Sequence, residues 1–157
     1  MVSALRQELE QLRSSYVVMK PSARLAAVRQ RLAKAEVDGG APRLVATVAA
    51  VEALARSLVV HAPQRSPATA PLRYQQVRTA GAMALVEETL RIYGAAPPAE
   101  FFQGDAWDRF ELAQQFRDII VHECTLPSHD KYPLLIEACE RVLEGLVEVG
   151  GLLRVVS

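Results

Sequence analysis

Near the carboxyl-terminal end of this 157-residue chain, "QQFRDIIVHECTLPSH" (residues 114–129) sets an arginine and a histidine five positions apart. A guanidinium can clamp phosphate oxygens through two parallel hydrogen bonds, and an imidazole near neutrality exchanges a proton. Residues of these types could therefore do acid–base chemistry at a phosphate. On an ideal helix Arg117 and His122 lie about 140° apart, so they flank a polar sector without touching. That sector also holds Gln114, Asp118 and Val121. Asp118 stands four residues before His122 and faces it, where its carboxylate can fix the imidazole tautomer. Two copies of this helix meeting on a two-fold axis would line one groove with two arginines and two histidines. The same residues also suit a helix that does no chemistry. Cations near a helix carboxyl terminus favour its dipole, and Arg117 could pair with Glu87 or Glu88.

The elements that must hold these residues read as helices throughout. Half of the residues are hydrophobic but only 6% are aromatic, a balance that suits closely packed helices better than a β-sandwich. The first helix is expected from about Val2 to Met19, with Leu5, Leu9, Leu12 and Tyr16 on one stripe. A second, from Ala23 to Val37, places Leu25, Val28, Leu32 and Ala35 on one face and Arg24, Arg29, Arg31 and Lys34 largely elsewhere. Asp38-Gly39-Gly40 stops it. The third, Pro42 to Val60, is apolar nearly all round and belongs in the core. A proline-rich connector, "HAPQRSPATAPL", leads to a fourth helix from Arg73 to Tyr93. Phe101 and Phe102 in the next loop are expected to dock on the bundle. Asp105 is a suitable cap for a fifth helix, Ala106 to Cys124, whose buried stripe is Phe110, Ala113, Phe116 and Ile120. The last helix spans Lys131 to Val149. The expected fold is all-α, a compact multi-helix bundle in one domain, residues 1–157. Residues 1–40 would form an amino-terminal helical hairpin and residues 42–157 the bundle proper.

Charge is zero overall but divided. Residues 1–78 carry 12 Lys/Arg against 5 Asp/Glu, and residues 79–157 carry 6 against 13. Either the halves neutralise each other, within one chain or across a dimer, or the amino-terminal half presents phosphates with an attractive surface. The opening "MVSALRQELEQL" has charges where a secretory signal would be apolar, so a cytoplasmic location is expected. Glu52 and Arg56 interrupt the most apolar stretch, so no membrane span is expected.

His122, Cys124, His129 and Cys139 lack the close pairing that zinc sites use, so no metal and no cofactor are expected. Cys139 reads as a buried thiol, and Cys124 points away from His122. The basic segment "ARLAAVRQRLAK" has no interleaved aromatic for stacking bases and reads first as a solvated face. Trp107 is expected as a core or dimer anchor. His61 and His129 border loops without an evident partner.

The run Arg117-Asp118-Ile119-Ile120-Val121-His122 resembles the signature of the HEPN superfamily (higher eukaryote and prokaryote nucleotide-binding). It matches in the arginine-to-histidine spacing, in the polar residue after the arginine, and in its place on the penultimate long helix. Glu52, in "VAAVEALARSL", matches the acidic residue on an earlier core helix that supports the family's site. By architecture the likeness covers roughly residues 42–150. It implies a HEPN-like bundle performing metal-independent RNA cleavage at a homodimer interface. His122 would move the proton at the ribose 2′-hydroxyl or the leaving oxygen, Arg117 would stabilise charge on phosphorus, and Asp118 would orient His122. The product would be a 2′,3′-cyclic phosphate. Many such proteins are toxins or phage-defence effectors paired with an antitoxin. Members paired with nucleotidyltransferase antitoxins carry a tyrosine two residues after the histidine, where this chain has Cys124 preceded by Glu123. The alternative is a non-catalytic bundle that binds a protein or nucleotide through the same groove.

Overall fold

The most apolar stretch becomes the axis of the molecule. In the computed structural model, which describes residues 2–35 and 40–152, α3 (Ala41–Val60) contacts α2 (Pro21–Ala35), α4 (Ala70–Val77), α5 (Ala82–Ile92), α7 (Ala106–Glu123) and α8 (Tyr132–Val149). Its Leu44, Val48, Val51, Leu54, Ala55 and Leu58 have almost no exposed surface. Five helices surround one helix only if that helix is apolar on most sides, and this is what its sequence supplies. Its buried hydroxyls are satisfied. Thr47 Oγ1 donates to the Arg43 carbonyl at 2.6 Å, and Ser57 Oγ donates to the Met19 carbonyl at 3.0 Å.

Among the described residues the chain is all-α, with eight α-helices, two short 3₁₀ turns and no strand. This is the expected helical bundle. None of these helices is long and apolar enough to cross a membrane. The expected stop at Asp38-Gly39 lies outside the described residues.

The expected fourth helix is two. α4 ends at Val77 and α5 begins at Ala82, with Gly81 extended between them at φ −77°, ψ 168°. The reason lies on other helices. Arg56 of α3 donates from Nε and Nη2 to the Val77 and Ala80 carbonyls, each at 3.4 Å, taking acceptors that a continuous helix would use internally. Gln114 Oε1 of α7 accepts the free Met83 N–H of α5 at 3.2 Å. Side chains from two neighbours thus cap both ends of the break.

A small residue admits the aromatic corner. α6 (Pro98–Phe101) and the following Phe102 lean on α8 at Gly145, where a Cβ would stand 2.6 Å from Phe102 Cε1. Phe102 is buried and its ring stacks on Trp107 at 5.7 Å; Trp107 in turn stacks on Phe110 at 5.7 Å. The two phenylalanines dock on the bundle as expected, and Trp107 joins the core.

α1 (Val2–Val18) is different. None of its residues is buried, and every side chain from Val2 to Ser15 is exposed. Only its end is tied down, by the Tyr16 ring against Tyr74 of α4 at 5.6 Å.

Candidate functional site

α7 turns Arg117 inward. Its core face is set by Ala106, Phe110 and Ala113, all buried, and Arg117 follows one turn after Ala113 on the same side. The guanidinium meets α3, where Nη2 donates to Glu52 Oε1 at 2.6 Å. Nε donates to Asp118 Oδ1 at 2.9 Å. The side chains of Arg117 and Glu52 are only 17% and 19% exposed, so solvent screens this pair far less than a surface ion pair. Burial works against the charged guanidinium, but the bonds to Glu52 and Asp118 outweigh it and hold Arg117 above its ordinary value.

The structure therefore brings together Arg117, Glu52 and Asp118. It does not bring His122 to them. His122 lies in the last turn of α7, exposed, with no hydrogen bond to Asp118. The carboxylate expected to orient the imidazole is engaged by Arg117 instead. A guanidinium beside it in the chain, fixed by burial, is the stronger partner for a carboxylate. Glu87 and Glu88 do not pair with Arg117; Glu88 pairs with Arg91. Gln114, from the expected polar sector, serves the α5 cap.

The chemistry left open on this face is specific. Among the described residues Nη1 of Arg117 has no hydrogen-bond partner, so it can still donate to an anion. Ile119, one turn before His122 on the outer side of α7, is an exposed apolar residue, and so is Leu112 two turns further back. Asp105 begins α7 but makes no capping bond; it lies 3.8 Å from Arg109 instead. At the other end Cys124 closes the helix in the left-handed region, φ 49°, with its N–H on the Ile119 carbonyl. Cys124 is exposed, whereas Cys139 is buried in α8, where burial first and then Glu140 push its thiol up to about 12. Such a thiol is not a nucleophile at neutral pH.

Comparison with protein-family models, with curated proteins and with solved structures finds no match to this chain.

Proposed function

We propose that this chain is a HEPN-type, metal-independent endoribonuclease that cleaves RNA at a composite site in a homodimer. The observation that carries the reading is the Glu52–Arg117–Asp118 network with an exposed His122 five residues on. A partly buried arginine fixed by two carboxylates keeps its charge and position, as a group facing a developing phosphorane must. In this reading one imidazole takes the ribose 2′-hydroxyl proton and the 2′-oxygen attacks phosphorus. The bond to the 5′-oxygen breaks, and His122 of a second copy protonates the leaving oxygen. The ends are a 2′,3′-cyclic phosphate and a 5′-hydroxyl.

Exposed apolar surface supports the second copy. On α1, Val2, Leu5, Leu9 and Leu12 recur at three- and four-residue steps and all are exposed. That is a heptad seam, with Glu8 and Arg13 on its flanks where a parallel partner would pair them. An antiparallel partner would set Arg6 against Arg13.

A second reading has its own support. Arg117 gives two of its donors to carboxylates, so the network also serves to tie α3 to α7 in a bundle that binds a partner without catalysis. An antitoxin is a candidate partner under either reading.

Incubation with mixed RNA in chelator separates them. The ribonuclease reading requires cyclic-phosphate ends from the wild type, and a loss of roughly a hundredfold or more in His122→Ala. His122 is exposed, so that variant should fold normally. Equal inertness of wild type and His122→Ala across RNAs leaves the binding reading.

A further inference from the structure

The amino-terminal half keeps its positive charge. Among the described residues, only Arg13 and Arg43 of that half have a carboxylate within 4.0 Å, from Glu10 and Glu140. The cations left over are not all on the outside. Arg24, expected on the solvated face of α2, turns inward and lines a cavity of about 220 Å³ with Tyr16, Arg56, Ser57, His61 and Tyr74. Among the described residues no aspartate or glutamate lines it.

The polar groups around this cavity are incompletely satisfied. Arg24 Nη2 donates to the Tyr16 carbonyl at 2.8 Å, but its Nε is buried without a partner among the described residues. His61 closes α3, and its Nε2 is likewise buried without a partner. Arg56 spends Nε and Nη2 on the α4 carbonyls through long contacts of 3.4 Å and keeps Nη1. Buried donors without acceptors cost stability, and two guanidiniums facing one space without a carboxylate add repulsion. The groups acting on one another here are cations and phenols. Burial and then Arg56 lower Arg24 against the opposing Tyr74 and Tyr16, while burial, Arg73, Lys20 and Arg24 lower His61 against a backbone hydrogen bond with Met19.

We propose that this cavity is a binding site for a phosphate dianion, free or as the terminal phosphate of a small monoester. Its charge of about −2 balances the two guanidiniums, and its three terminal oxygens offer more acceptor sites than a carboxylate. Arg24 Nε, Arg56 Nη1 and His61 Nε2 are the unspent groups that would meet them. Tyr16, Arg24, Arg56, His61 and Tyr74 each retain some exposed surface, so the cavity is open to entry. The proposal does not depend on the ribonuclease reading, since the cavity uses none of Glu52, Arg117, Asp118 or His122.

Calorimetric titration of the full chain with inorganic phosphate, phenyl phosphate and acetate tests it, with the His61 imidazole resonance followed in parallel. Expected are binding of phosphate or phenyl phosphate but not acetate, and a His61 titration moved to higher pH by the bound anion. Tighter binding of phenyl phosphate would assign a monoester, and tighter binding of inorganic phosphate the free ion. Arg24→Met should weaken binding roughly tenfold or more. Because Arg56 also caps α4, His61→Gln serves as the second variant and should remove the proton linkage while the protein stays folded. No heat and no movement of the His61 resonance at roughly 10 mM phosphate, far above a useful affinity, would overturn the proposal. So would binding that survives unchanged in both Arg24→Met and His61→Gln.

Discussion

Arg117 of α7 and Glu52 of α3, 65 residues apart in the chain, meet through an Nη2–Oε1 bond of 2.6 Å. Both side chains are more than four-fifths buried, so removing one charge strands the other in a poorly solvated place. Arg117→Met and Glu52→Gln should each cost about 2–3 kcal/mol, below the range for fully buried pairs because some solvent remains. The double variant should cost less than the sum. Urea melts of the four proteins measure this; a sum that adds within error would mean that the pair is not coupled in solution.

The aromatic corner makes a second stability prediction. Gly145 lets Phe102 press against α8, and the nearest ring atom would stand 2.6 Å from an added Cβ. Phe102 is held on its other side by Trp107, so it cannot simply swing away. Gly145→Ala should therefore destabilise by about 1–3 kcal/mol, although alanine is ordinarily the better helix former. Trp107 fluorescence reports the displaced ring directly. An unchanged or raised urea midpoint would show that the corner yields freely.

These two contacts show what the sequence could and could not tell. Helix spacing locates α7, where Phe110 and Ala113 recur at the helical period, and α3 stands out because it is apolar nearly all round. The break between α4 and α5 escapes that reading. The period continues through Val77, Ala80 and Ala84, and what ends α4 is Arg56 from another helix. Glu52 and Arg117 could be matched only through likeness to a family pattern, since nothing local joins them. Asp118 follows Arg117 directly, yet helix geometry pointed it at His122. Burial of the guanidinium decided otherwise. Arg24 looks solvated on a helical wheel, and its inward turn depends on how α2 crosses α3.

His61 should make the protein acid-sensitive. Burial lowers its pKa, followed by Arg73 of α4, Lys20 before α2 and Arg24 of α2, with the Met19 backbone acting the other way. The folded form therefore binds a proton less readily than the unfolded chain, whose imidazole titrates near about 6.5. Above that pH neither form is protonated and the term vanishes. As pH falls through it the unfolded chain takes up the proton first, so stability drops until the folded pKa is passed. Between about pH 7 and pH 5 the wild type should lose stability more steeply than His61→Gln. Parallel slopes in urea melts across that range would show that His61 is not held neutral.

The exposed seam of α1 bears on assembly. A helix of this length with no buried residue is marginal by itself in water, and its apolar stripe needs a cover. A second copy in parallel register would supply one, placing Leu5 and Leu12 against their equivalents and Glu8 beside Arg13. Light scattering should then give a dimer for the wild type. Leu9→Lys, at the centre of the seam, should shift it toward monomer and reduce helical ellipticity at low concentration. The bundle core, which α1 does not enter, should unfold at nearly the same urea concentration. Pairing of Glu8 with Arg13 makes a further demand that a merely sticky helix does not. Glu8→Arg should weaken the dimer, and Glu8→Arg combined with Arg13→Glu should restore it. A wild type that stays monomeric at high concentration would remove both this interface and the composite site that depends on a second copy.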